Sequence, residues 1–348
     1  MTILVLNSGS SSIKYKLFDK DTMEELYSGI AEEVKSHTEA INKILNDLKK
    51  DGVIPSGDDI FCVGHRVVHG GEIFTKATLV DEDVINKVDE LSALAPLHNP
   101  AHLAGIRAVQ DVLGDIKQVI VCDTAFHQTM PAKASMYPIP HKYYEEYAIK
   151  KYGFHGTSDE YVSKKAAEQL GLEHSKANFI TMHLGNGASV CCIKNGTSQD
   201  TTMGFTPLEG LMMGTRCGDI DPTVVTFLQE KENLTPNEVN TLLNKESGFK
   251  GITGTSDLRE VFAMAESGNE DAEHAIELFT HRIIKYVGAY MMTLGHVDAI
   301  VFTGGIGENA QKIRDIITAK TDKFNLKSLV IQTNEELAIA EQSKALLV

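Results

Sequence analysis

The sequence predicts an α/β protein built from a duplicated unit and divided into two domains. Three observations carry that expectation. A strand, a small-residue turn and a returning strand run through Ile3–Leu6, Asn7–Ser11 and Ser12–Phe18. The same succession recurs at Phe179–Leu184, Gly185–Ser189 and Val190–Ile193. A third small-residue turn, Gly304–Asn309, follows the apolar run Ala299–Thr303. A strand–turn–strand signal that returns at a distance reads as an internal repeat.

The elements between these marks follow from periodicity and turn chemistry. Asp19-Lys20-Asp21 turns the chain into a third strand near Leu26–Ile30. Ile41, Ile44, Leu45 and Leu48 share one helical face, as do Val84, Ile85, Val88 and Leu91. Asn99-Pro100 reads as an N-cap and first turn of a third helix, with Leu103, Ile106 and Val109 on its apolar side. Val119–Cys122 is a short apolar strand ending at Asp123. In the second half Asn195-Gly196 is a hairpin turn, and Gly304–Asn309 opens a helix running through Ile313 and Ile317. Pro131, Pro138 and Pro140 mark the domain boundary, between Asp123 and Tyr152.

Composition narrows the function. The 348 residues hold 33 Lys and Arg against 48 Asp and Glu, a net charge of −15. That balance disfavours nucleic acid and anionic membranes as partners. No segment approaches the roughly 18 uncharged apolar residues of a membrane span. The apolar start is short and lacks a basic flank, so it reads as a strand and not a signal peptide. Cys62, Cys122, Cys191, Cys192 and Cys217 form no CxxC pair and read as thiols of a reducing, cytoplasmic compartment.

Glycine and serine turns after strands expose backbone N–H groups and suit phosphate. Three in one chain point to a polyphosphate ligand held between two domains. Gly-x-x-x-x-Gly-Lys is absent, and Gly305–Ala310 lies too near the C-terminus for a six-stranded dinucleotide fold. Arg66, on a strand-like run before Gly70-Gly71, and Arg216, between small residues, carry planar forks suited to carboxylate or phosphoryl oxygens. A structural ion pair is the simpler reading for either alone. Lys14 lies on the first returning strand, Asp123 ends a strand, and His155 sits between glycines. Glu335 and Glu336 either cap the last helix or approach a cation. His65/His69 and His98/His102 are four residues apart, but on a strand and around a proline, which argues against zinc.

Six segments in order resemble the acetate/propionate kinase family: Asn7–Lys14, Gly64–Gly71, Gly153–Ser158, His183–Gly187, Phe302–Asn309 and Thr333–Leu337. The resemblance spans essentially the whole chain. It implies a duplicated actin-like ATPase fold, shared with sugar kinases and heat-shock ATPases, with two domains and a central nucleotide cleft. Residues 1–127 plus 337–348 would form the N-terminal acyl-kinase domain and 128–336 the nucleotide-binding domain. The implied reaction is Mg²⁺-dependent (or Mn²⁺-dependent), reversible transfer of the ATP γ-phosphoryl group to acetate, giving acetyl phosphate and ADP. Propionate kinase is the nearest alternative, and a cytoplasmic homodimer is implied.

Residue by residue, the resemblance makes Asp123, Arg66, His155 and Arg216 catalytic, and Asn7 and Glu335 metal-associated. Arg66 binds the acid, with Val68, Leu97, Phe154 and Pro207 walling a small pocket for its methyl group. Lys14, His183, Leu184, Gly185, Asn186 and Gly187 contact nucleotide phosphates. Asp257, Leu258, Arg259, Gly305, Ile306, Gly307, Glu308 and Asn309 form the remaining nucleotide segments. The chain is several tens of residues shorter than comparable members. The missing lengths fall between Ile30 and Glu39 and between Asp315 and Ser328, outside all six motifs.

Overall fold

The computed structural model describes residues 1–54, 59–96 and 98–348. Two compact units emerge: Met1–Gln128 with Gly156–Tyr161 and Asn334–Val348, and Thr129–His155 with Val162–Thr333.

The first unit carries strands β1 (Thr2–Ser8), β2 (Ser12–Asp19), β3 (Glu25–Glu32), β4 (Ile60–Val67), β5 (Thr78–Leu79) and β6 (Gln118–Cys122). They form one sheet in the order β3-β2-β1-β4-β6-β5. β1, β2 and β3 are antiparallel neighbours, whereas β1, β4 and β6 run parallel. The second unit carries β7 (Phe179–Leu184), β8 (Ala188–Lys194), β9 (Thr197–Thr201), β10 (Ala299–Thr303) and β11 (Ser328–Val330). Its order, β11-β10-β7-β8-β9, repeats five of the first sheet's six strands, β5 having no counterpart, with β7–β9 antiparallel and β7, β10 and β11 parallel. The duplication expected from the turns is therefore a duplication of sheet topology.

β1, β4 and β6 are buried on both faces along most of their length, as parallel strands between helices are, with His65 and Arg66 interrupting the apolar run of β4. One face packs on the helices His37–Lys50 and Asn99–Leu113, joining Leu4, Leu6 and Val63 to Ile41, Leu48 and Val109. The other receives the C-terminal helix Glu335–Leu347, where Ile339 and Ala340 meet Ile3, Val5, Cys62 and Val121. Gly64 permits that seat: a Cβ there would stand 2.7 Å from the Ile339 Cγ2. The cysteines form no disulfide.

Three local expectations change. The helix at Asn99 is preceded by His98 as its cap residue; Asn99 lies inside it, fully buried. Its Oδ1 accepts from the His69 N–H at 3.2 Å and its Nδ2 donates to the His69 carbonyl at 3.0 Å. The side chain thus satisfies backbone groups after β4 that would otherwise be buried without partners. The Gly304 turn opens two helices, Gly304–Asn309 and Gln311–Thr321, because Ala310 at φ −91° and ψ 81° breaks the ladder. Neither Glu335 nor Glu336 caps the last helix: the Asn334 side chain does, accepting from the Leu337 N–H at 3.1 Å.

Candidate active site

In the first unit the functional side chains gather on β1, β4 and the end of β6. Parallel pairing sets Arg66 of β4 beside Val121 of β6, so Asp123, just past the strand end, comes within reach. Arg66 Nε donates to Asp123 Oδ1 at 3.0 Å and Nη2 to Oδ2 at 2.5 Å, a two-point fork. Its Nη1 donates to the Asn7 Oδ1 at 3.3 Å. Lys14 stands opposite Asn7 in the β1–β2 register and is exposed.

The charges here do not balance. Burial raises the pKa of Asp123; Arg66 opposes that rise and Glu335 adds to it. Burial likewise raises Glu335, with Arg66 and Lys14 opposing and Glu336 adding. Burial works against the Arg66 charge, but Asp123 and Glu335 outweigh it and raise its pKa. Acid groups thus outnumber the guanidinium they share. The Glu335 Oε1 is buried with no hydrogen-bond partner. An orphaned carboxylate oxygen in an over-acidic cluster is an oxygen donor suited to a hard divalent cation.

Val68 is buried directly after β4. Leu97 lies outside the described residues. His65 is neutral in this interior, its pKa lowered to about 4 by burial, and its Nε2 meets the Gln118 Oε1 at 2.7 Å.

In the second unit the candidate side chains gather at the β7–β8 turn. The Gly185 N–H closes on the Gly187 carbonyl at 3.0 Å. His155 sits in the left-handed region, φ 61°, immediately before the helix Gly156–Leu170. A histidine there is strained, and such strain clusters at functional sites. Its Nδ1 lies 3.0 Å from the Ser189 Oγ, and its ring stacks on His183 with centroids 4.1 Å apart. Arg216 reaches the same place. A Cβ on Gly187 would lie 3.4 Å from the His155 Nε2 and 3.5 Å from the Arg216 Nη1. The His155 imidazole and the Arg216 guanidinium therefore converge over the same glycine turn.

Arg216 differs from Arg66 in its partners. Its Nη1 donates to the Pro207 carbonyl at 3.1 Å and approaches the Met213 Sδ at 3.6 Å. No carboxylate pairs with it among the described residues, and burial pulls its pKa down. Phe154 is buried and Pro207 half-buried.

Beside this cluster a cavity of about 790 Å³ opens. Gly185, Asn186, Asp257, Leu258, Arg259, Gly305, Ile306 and Asn309 line it, as expected of nucleotide segments. Gly214, Ser256, Phe262, Ala310, Gln311 and Lys312 complete its walls, and sequence reasoning missed all six. The mixture of apolar side chains and glycine backbone fits a flat heterocycle with a phosphate tail. His183, Leu184, Gly187 and Gly307 are not among its walls. Glu308 is not either: its Oε1 accepts from the N–H groups of Gly304 at 3.0 Å and Thr333 at 3.1 Å, which fastens the turn. Gly304, at φ +76°, packs where a Cβ would crowd the Leu184 carbonyl at 2.7 Å. Arg259 is exposed and forked onto Asp257, whose pKa its hydrogen bond lowers to about 2.

Comparison with known proteins shows the family of the chain. The model of the acetokinase family matches residues 2–36 and 31–328. The acetate kinase of Thermosipho africanus is 45% identical over 397 aligned positions, covering 100% of this chain and 98% of that protein. The crystal structure of Porphyromonas gingivalis acetate kinase superposes with a TM-score of 0.95 at 41% identity, covering 100% of both chains. A propionate kinase from Francisella tularensis gives 0.93 at 40% identity, covering 98% of each. More distantly, a putative N-acetylmannosamine kinase from Listeria monocytogenes gives a TM-score of 0.52 at 13% identity, a likeness of fold alone.

Proposed function

The chain belongs to the acetokinase family, phosphotransferases with a carboxyl group as acceptor, and from that premise we propose that it transfers the γ-phosphoryl group of ATP reversibly to acetate, with Mg²⁺ as its divalent cation. The observation that carries this reading is Arg216. A half-buried guanidinium with only neutral partners, converging with a histidine over a glycine turn, lacks an anion. A phosphoryl group in transfer supplies one.

Acetate is ionised at neutral pH, so no general base is needed to activate it. Arg66, forked onto Asp123, is held rigid and presents its Nη1 edge to the acid. Both Asp123 oxygens are taken by Arg66, so Asp123 acts as an orienting group. On the nucleotide side His155 Nε2 and Arg216 Nη1 donate to equatorial phosphoryl oxygens, where charge gathers in a loose transition state. Asn7 and Glu335 are the residues that would hold the cation. A bound Mg²⁺ supplies charge neutralisation on phosphate oxygens. Val68, with Leu97, Phe154 and Pro207, is assigned to the acid's methyl group.

A homodimer is part of the proposal. The helix Pro222–Glu232 buries none of its residues, and Val224 and Phe227 on it are exposed. Buried thiols that form no disulfide support a cytoplasmic setting.

The test is acyl-phosphate formation from ATP and Mg²⁺ with acetate, propionate and butyrate in parallel, trapped with hydroxylamine. We expect acetate to lead in kcat/KM. A methylene in an apolar pocket is worth about 1–3 kcal/mol, so propionate should follow by roughly 10- to 200-fold. A propionate preference would overturn the assignment of Val68 as the gate. No acyl phosphate with any acid would overturn the reaction itself.

A further inference from the structure

The loop that carries Pro207 is fastened by a polar group unconnected with any ligand. Glu209 accepts at Oε1 from the Lys151 Nζ at 2.7 Å, and at Oε2 from the Tyr137 hydroxyl. Lys151 also donates to the Thr201 carbonyl at 3.0 Å, at the end of β9. The Tyr137 oxygen in turn accepts from the Phe205 N–H at 2.8 Å. Gly204 lies inside this group, where a Cβ would collide with both the Glu209 carboxylate and the Tyr137 hydroxyl. The Gly204 carbonyl accepts from the N–H groups of Tyr152 and Gly153 at 3.1 and 3.2 Å.

The chain from Phe205 to Glu209 is therefore tied at both ends to the segment that leads into His155. Between those ties lies Pro207, whose carbonyl takes the Arg216 Nη1. With no carboxylate to hold it, Arg216 takes its direction chiefly from that carbonyl, the Met213 sulfur at 3.6 Å being the weaker contact.

We infer that Glu209, with Tyr137 and Lys151, is a positioning residue for the phosphoryl transfer, aiming Arg216 by fixing the Pro207 carbonyl. None of the three lines the nucleotide cavity. Burial, then the adjacent Glu209, raises the Tyr137 pKa, so the phenol stays protonated and keeps donating. The inference rests on the acyl-kinase reading above.

The experiment compares wild type, Glu209→Gln, Arg216→Ala and the double variant in the hydroxylamine assay, with thermal melting of each. Misplacing a catalytic group by about an ångström costs on the order of 10²-fold. Glu209→Gln should lower kcat roughly 10- to 100-fold, with KM for ATP little changed, because no wall of the nucleotide cavity is touched. In the Arg216→Ala background the same change should have almost no further effect, since there is no arginine left to aim. Tyr137→Phe, which removes one hydroxyl, should behave alike and serves if Glu209→Gln folds poorly. An undiminished kcat, or losses that simply multiply in the double variant, would overturn the inference. A wild-type enzyme that makes no acyl phosphate would instead overturn the reading beneath it.

Discussion

Arg216→Ala is expected to lower kcat by about 10³- to 10⁵-fold while the protein melts at or slightly above the wild-type temperature. The size follows from what an arginine at a transferring phosphoryl group is worth, about 4–7 kcal/mol of barrier. The stability half follows from its partners. Removing Arg216 leaves no carboxylate behind, only the Pro207 carbonyl and the Met213 sulfur. Relieving a half-buried, uncompensated charge costs the fold nothing, the usual trade of stability for function. Arg216→Lys should recover little, because an ammonium lacks the planar fork. Steady-state kinetics with calorimetry checks both halves. Substantial turnover in folded Arg216→Ala would remove Arg216 from the reaction.

Asp123→Ala should fail differently, in stability and activity together. Asp123 is buried, and both its oxygens are bound by Arg66. Without it Arg66 keeps only the Asn7 amide oxygen at 3.3 Å. Breaking a buried ion pair from one side costs roughly 3–5 kcal/mol, and the partial exposure of Arg66 places this case at the lower end. Arg66 then swings, so KM for acetate should rise and kcat fall. The sign with pH also follows. Asp123 is raised by burial, so the folded site takes up its proton at higher pH than an unfolded chain does. Its carboxylate therefore weakens the fold as pH rises through that range, and Arg66 offsets the cost. Urea unfolding of Asp123→Ala and Asp123→Asn, with acetate saturation curves, measures these effects. A variant equal to wild type in both would show the fork to be idle.

The fold was legible where the signal was local. Asn7–Ser11 and Gly185–Ser189 read as turns because their small residues admit few alternatives; the strands extend into both, leaving Gly9–Ser11 and Gly185–Gly187 as the connections. From two such hairpins the repeat of sheet topology followed. The site was legible as a set of residue types: Arg66 before a glycine pair, His155 between glycines, Arg216 among small residues. Their electrostatic difference was not. That Arg66 is forked onto Asp123 while Arg216 has only neutral partners depends on strands and loops far apart in sequence. Asn99 looked like a helix cap because Asn-Pro is a common cap pair, yet a buried backbone segment after β4 outcompeted that role. Ala310 breaks a helix without any breaker residue. Phe262 lines the nucleotide cavity without any signal in its local sequence. Glu209 sits in an unremarkable stretch, and only its two partners, Tyr137 and Lys151, give it meaning.

The central claim is that the acid attacks phosphorus directly, with arginine and histidine donating to the phosphoryl oxygens and no side chain becoming phosphorylated. The first unit's closest carboxylate to Arg66, Asp123, has both oxygens occupied and is buried, which leaves it no path to act as a nucleophile. The stereochemical course at phosphorus tests this most directly, using ATP made chiral at the γ-phosphorus with oxygen isotopes. A single in-line displacement inverts the centre, and inversion is the predicted result. Retention would require two displacements through a phosphorylated side chain and would contradict the account.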